Sequence, residues 1–135
     1  MENKLSIMII DDENIVGKRL QPALEKRGDT VETFIDSREA LKRFDEKNFD
    51  VVVTDIRMDN IDGIEVLEHI ASRNKRTKVI MITGYATVEV AREALAKGAF
   101  DFIAKPFKPN DLRSIIERAA QELSSEKWRD NKTIF

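Results

Sequence analysis

The chain contains no cysteine, which excludes disulfides, thiol nucleophiles and thiolate metal sites together. It has a single histidine, His69, which falls mid-pattern in a helical stretch and reads as a partly exposed helix residue. No long hydrophobic run is present. The first apolar stretch, Leu5 to Ile10, is too short for a signal-peptide core or a membrane span and stops at Asp11, so the expectation is a soluble cytoplasmic protein without membrane contact. No basic stripe appears and the net charge is -2, which argues against direct nucleic-acid binding by this segment. A glycine-rich phosphate loop after the first apolar run is also missing. "DDEN" stands there instead, the wrong sign for a nucleotide or flavin phosphate. An EF-hand fails as well: with Gly63 at loop position six, positions one and twelve would be Met58 and His69. There are no internal repeats and no low-complexity segments.

What the sequence does have is 135 residues, 41% of them hydrophobic, enough for one domain with one full core. Short apolar runs alternate with amphipathic stretches. "LSIMII", "VETF", "FDVVVTD", "KVIMIT" and "FDFIA" read as five strands, several apolar throughout, as strands buried on both faces are. Helical patterns lie between and after them. Ile15 to Arg27 is closed by Gly28, and a second helix opens at Ser37. Gly63 to Arg73 forms the third, and Thr87 to Lys97 runs up to Gly98. The fifth starts near Asn110, where Asn110 or Asp111 can cap it, and carries the stripe Leu112, Ile115, Ile116, Ala119, Ala120 and Leu123. Pro22 conflicts with the first helix and predicts a kink near Lys18 or a break there. Alternation of this kind gives an α/β fold, a doubly wound five-stranded parallel sheet with five helices on its two faces. The common strand order is 2-1-3-4-5, with ligands bound outside the C-terminal strand ends at the switch point between the first and third strands.

Five chemically active residues fall at those ends: Asp11 and Asp12 after the first strand, Asp55 closing the third, Thr83 closing the fourth and Lys105 after the fifth. Each alone has an ordinary reading, as a turn or capping aspartate, a strand threonine or a surface lysine. Together they do not. Acids 4 Å apart repel by about 4 kcal/mol per pair at an effective dielectric near 20, and folding alone gives no reason to gather them. A divalent cation and an ammonium resolve the repulsion, and hard oxygen ligands point to magnesium. Such a set can transfer a phosphoryl group, with Asp55 as nucleophile and the cation and Lys105 neutralising the phosphoryl oxygens.

The motifs "IIDDE", "VVVTDIRM", "DG", "VIMITGYA" and "GAFDFIAKPF" resemble the receiver domain of two-component response regulators, over about residues 4 to 122. The resemblance implies a flavodoxin-like fold and transfer of a phosphoryl group to Asp55 from a sensor histidine kinase or a His-containing phosphotransfer protein. It implies that Asp11 and Asp12 bind magnesium together with Asp55 and the backbone carbonyl of Arg57. Thr83 would be the switch hydroxyl, Phe102 the switch aromatic and Lys105 the phosphate-binding lysine, and the bond to Pro106 would be cis. Arg57 and Tyr85 would flank the site mouth, where Tyr85 is expected to restrict attacking water. A receiver of this kind is a signalling phosphoacceptor that catalyses its own phosphorylation and dephosphorylation. Its output surface, here carrying Glu89, Arg92, Lys97, Asp101 and Arg118 on the fourth helix, fifth strand and fifth helix, is also where a homodimer would form.

The chain departs from the family pattern at Asp59, where many members carry proline. Asp59 and Asp62 read as solvated loop acids, with Asp62 helping to cap the third helix. Residues 1–123 are expected to form the receiver and 124–135 a tail or the start of a linker, helical to about Arg129. The alternative function is a magnesium phosphohydrolase using an aspartyl-phosphate intermediate. It would want a general acid two residues past the nucleophile, where Arg57 stands.

Overall fold

The computed structural model describes residues 4–58, 61–84 and 88–133, with side chains described as far as Glu126. Five strands and five helices alternate: β1 (Ser6–Ile10), α1 (Asn14–Glu25), β2 (Thr30–Phe34), α2 (Ser37–Glu46), β3 (Val51–Asp55), α3 (Gly63–Arg73), β4 (Lys78–Thr83), α4 (Val88–Ala96), β5 (Asp101–Ala104) and α5 (Pro109–Thr133). All strand pairs are parallel and the order is β2-β1-β3-β4-β5. The flavodoxin-like topology expected from the alternation is therefore the one found.

Strand alternation divides the core into two layers. Met8, Ile10, Val52, Val79 and Met81 project to one face, where α2, α3 and α4 cover them with Leu41, Phe44, Val66, Ile70 and Ala91. Ile7, Ile9, Val51, Val53, Ile80 and Ile82 project to the other, under Leu20 and Leu24 of α1 and Leu112, Ile116 and Ala119 of α5. Both faces are dry, which explains why β1, β3 and β4 are apolar at nearly every position.

Local chemistry sets the helix ends. Asp36 accepts from the Arg38 amide to start α2. Asp62 and Glu65 form a reciprocal capping box on α3, satisfying two backbone donors that would otherwise have no partner. Pro109 occupies the first position of α5, where its missing N–H costs nothing, and Asp111 accepts from the Lys108 amide at 3.1 Å. Gly28 and Gly98 stop α1 and α4 with φ of 101° and 108°, a conformation that side chains with a Cβ resist.

Two expectations differ from what is found: the break offered for α1 as the alternative to a kink, and the end of α5. α1 is not broken: it runs through Pro22 to Glu25. Leu20 and Leu24 are buried on either side of the proline, and Gly17 brings the helix so near β2 that an added Cβ would lie 3.1 Å from Thr33 Cβ. Burial of that face holds the helix together across the lost hydrogen bond. α5 continues to Thr133 rather than Arg129, because no glycine or proline follows Pro109 to stop it. Its later turns are tied to the sheet by Lys78, whose ammonium lies 2.6 Å from Glu126 and 3.5 Å from Glu122. Among the described residues, no helix is long and apolar enough to cross a membrane.

Candidate functional site

The parallel register sets the positions of the acids. Ile10 pairs with Thr54 across β1 and β3, so the next residues, Asp11 and Asp55, leave adjacent strands at the same level. Asp12 follows in the β1–α1 loop. Carboxylate oxygens of Asp11, Asp12 and Asp55 lie within 4.8 Å of one another. β5 then brings in the cation: Ala104 pairs with Thr83, the Lys105 amide donates to the Thr83 carbonyl at 2.8 Å, and the lysine side chain reaches back over the acids. Its Nζ stands 3.1 Å from Asp11 and 3.4 Å from Asp55.

Asp11 is 2% exposed and Asp55 9%. Asp11 Oδ1 accepts from the Glu13 amide at 2.9 Å, while Oδ2 is buried without a hydrogen-bond partner. The Lys105 ammonium faces that oxygen as an ion pair at 3.1 Å. Asp55 accepts from the Arg57 backbone N–H as well as facing Lys105. Burial pushes both carboxyls above the usual aspartate range, and the charge of a neighbouring aspartate adds to the effect in each case. The lysine and the backbone donors offset it only in part. Burial also opposes the charge on Lys105, but Glu13, Asp11 and Asp55 outweigh it and raise its pKa. The lysine is therefore a fixed cation, whereas the aspartates carry a charge their surroundings do not fully compensate.

The donor set fits a hard divalent cation. It is all oxygen, converges within one ion's reach and includes two buried carboxylates. His69 is engaged elsewhere, with Nε2 3.0 Å from Asp45.

The remaining candidates are distributed around this centre. Thr83 is fully buried and its hydroxyl donates to the Gly84 carbonyl at 2.9 Å. Phe102 is partly buried and packs on the layer that contains Met81. The Arg57 side chain is exposed, with its amide on Asp55. The Lys105–Pro106 bond is cis. Tyr85 and Asp59 lie outside the described residues. Asp62 serves as the N-cap of α3.

Two residues have roles at the site that were not assigned from the sequence. Glu13 bonds Lys105 Nζ at 2.5 Å, nearer than either aspartate. A glutamate two residues past Asp11 in the same loop was the only signal available. Gly63 is the other. A Cβ there would stand 2.6 Å from the Asp55 carbonyl oxygen and 2.7 Å from Ile56 Cα, and the Gly63 amide donates to the Ile56 carbonyl at 2.7 Å. The start of α3 is thus pressed directly against the backbone that carries Asp55.

Comparison with known proteins gives a consistent result. Residues 7–117 match the family described as the response regulator receiver domain. The regulatory protein AtoC of Escherichia coli is 43% identical over 121 residues, covering 90% of this chain and 26% of AtoC; the chain thus spans about a quarter of that relative's length. A receiver domain protein from Clostridium thermocellum superposes with a TM-score of 0.83 at 32% identity, over 87% of this chain and 95% of that one. The beryllofluoride-activated NtrC4 receiver domain dimer superposes with a TM-score of 0.82 at 33% identity, over 87% and 98% of the respective chains.

Proposed function

The chain belongs to the response regulator receiver family, and from that premise we propose that Asp55 accepts a phosphoryl group from a sensor histidine kinase or a His-containing phosphotransfer protein, and that the modified domain switches an output partner. The observation that carries this is the convergence on Asp55 of Asp11, Asp12 and Lys105 at the end of β3. In the transfer, an Asp55 carboxylate oxygen bonds to phosphorus as the P–N bond of the donor phosphohistidine breaks, and the electron pair leaves with the imidazole nitrogen. Lys105 donates to a phosphoryl oxygen in place of the Asp55 oxygen it now faces, which supplies fixed positive charge where negative charge accumulates. Asp11, Asp12, Asp55 and the Arg57 carbonyl would hold Mg2+, which supplies further charge neutralisation at the phosphoryl group. Reversal is hydrolytic: water attacks phosphorus and the Asp55 carboxylate leaves. Tyr85 and Arg57 are the residues we assign to regulating that access.

Switching follows from the same contacts. Thr83 sits one residue beyond the level of Asp55 on the adjacent strand, where its hydroxyl can exchange the Gly84 carbonyl for a phosphoryl oxygen. The volume it vacates is taken by Phe102, altering the face formed by α4, β5 and α5. That is a population shift between two packings. On this reading, residues 1–123 are the receiver, 124–135 lead toward an output partner or a homodimer through the same face, and the protein works in the cytoplasm. A phosphohydrolase is disfavoured by Arg57, which occupies the general-acid position.

Incubation with acetyl phosphate and Mg2+, read by intact mass, tests the assignment. One phosphoryl adduct is expected on the native chain and none on Asp55→Asn. An adduct that persists on Asp55→Asn places the acceptor elsewhere, and one that forms equally with EDTA removes the role given to magnesium.

A further inference from the structure

Lys105 has three N–H donors and faces three carboxylates, and the tightest of these contacts is not to the phosphoacceptor. Glu13 stands 2.5 Å from Nζ, against 3.1 Å for Asp11 and 3.4 Å for Asp55. Among the described residues, Glu13 contacts Lys105 but lies outside the three-carboxylate group able to hold a cation. Its side chain is 60% exposed, so it can turn to water at little cost, whereas the buried aspartates cannot. A phosphoryl group on Asp55 calls on the same ammonium.

We infer that Glu13 is a positioning residue that holds Lys105 in the resting site and competes with the incoming phosphoryl group for it. This rests on the assignment of Asp55 as acceptor and Lys105 as its phosphoryl partner. The lysine is thereby kept beside the site without being committed to Asp55, whose nucleophilic oxygens it would otherwise quench. Phosphorylation must break the Glu13 contact, and the exposure of Glu13 keeps that step small. Exposed ion pairs carry little energy, so the effect is a modulation of about two- to fivefold rather than a requirement.

Glu13→Gln keeps the shape and removes the competing charge. With acetyl phosphate at saturating Mg2+ for each variant, its phosphorylation rate is expected to rise about two- to fivefold. Beryllofluoride should bind more tightly by a similar factor. NMR of the Lys105 side chain in the metal-free protein supplies a reading independent of turnover: its resonances should move in Glu13→Gln. A double-mutant cycle with Lys105→Met separates competition from simple repulsion between Glu13 and phosphate. Competition predicts that the Glu13→Gln gain disappears without the lysine. An equal gain in both backgrounds overturns the inference, as does an unchanged or slower rate with unmoved Lys105 resonances. If the native chain forms the Asp55 adduct and Glu13→Gln behaves identically, only the role of Glu13 falls; if the native chain takes no phosphoryl group, both fall.

Discussion

Asp11 and Asp55 each bring a charge into a place that prefers the neutral form. Their carboxyls titrate higher in the folded protein than in the unfolded chain. The folded state therefore binds their protons more tightly, and the stability this gives is complete below the unfolded pKa and lost as pH rises through the folded one. At neutral pH the metal-free site is a liability that a cation or a neutral side chain removes. Asp55→Asn is accordingly expected to raise the melting temperature of the EDTA-treated protein by about 2–5 °C. Mg2+ should raise the native protein's melting temperature more than that of the variant, and the gap between the two metal-free proteins should narrow in acid. Calorimetry across pH checks all three; a metal-free Asp55→Asn that melts at or below the native temperature contradicts the cause assigned. The grouping of these acids was legible in the sequence because strand ends in a parallel sheet have a fixed destination. The place of Glu13 was not, since an exposed glutamate in a loop has no spacing that distinguishes a partner of Lys105 from a solvated charge.

α3 is the element that most directly braces the acceptor. Its first residue, Gly63, leaves no room for a methyl group between helix and strand, and the obstructing atoms are backbone. Gly63→Ala should cost about 1–3 kcal/mol in urea unfolding, as overpacking does, and slow phosphorylation because the displaced segment includes Asp55. Unchanged stability together with an unchanged rate would show that the strand end can yield. Asp62→Ala tests the neighbouring cap, with an expected loss of about 1 kcal/mol and little change in phosphoryl chemistry beyond it. The sequence identified α3 to the residue because capping acid, glycine and apolar period coincide there. A break in α1 was one of its two expectations because a proline is scored locally, while the burial of Leu20 and Leu24 that keeps the helix continuous is tertiary.

The whole molecule divides its work between the two ends of one sheet. The C-terminal strand ends carry the acids, Thr83 and Lys105; at the opposite end, Lys78 opens β4 and joins it to α5 through Glu122 and Glu126. β4 thus links the two ends, with Thr83 at one and Lys78 at the other. Alternation and handedness narrowed the topology to a few, of which the common order is the one found, and the length of α5 was underestimated because its last turns have no apolar stripe to mark them. At a rise of about 1.5 Å per residue, the ten residues that follow Leu123, ending at Thr133, form an arm about 15 Å long. Tilting the helix by about 10° at Leu123 would swing that arm's tip by roughly 2.6 Å. An arm of that length would amplify any tilt imposed at its base into a displacement comparable with an atomic diameter, well away from Asp55.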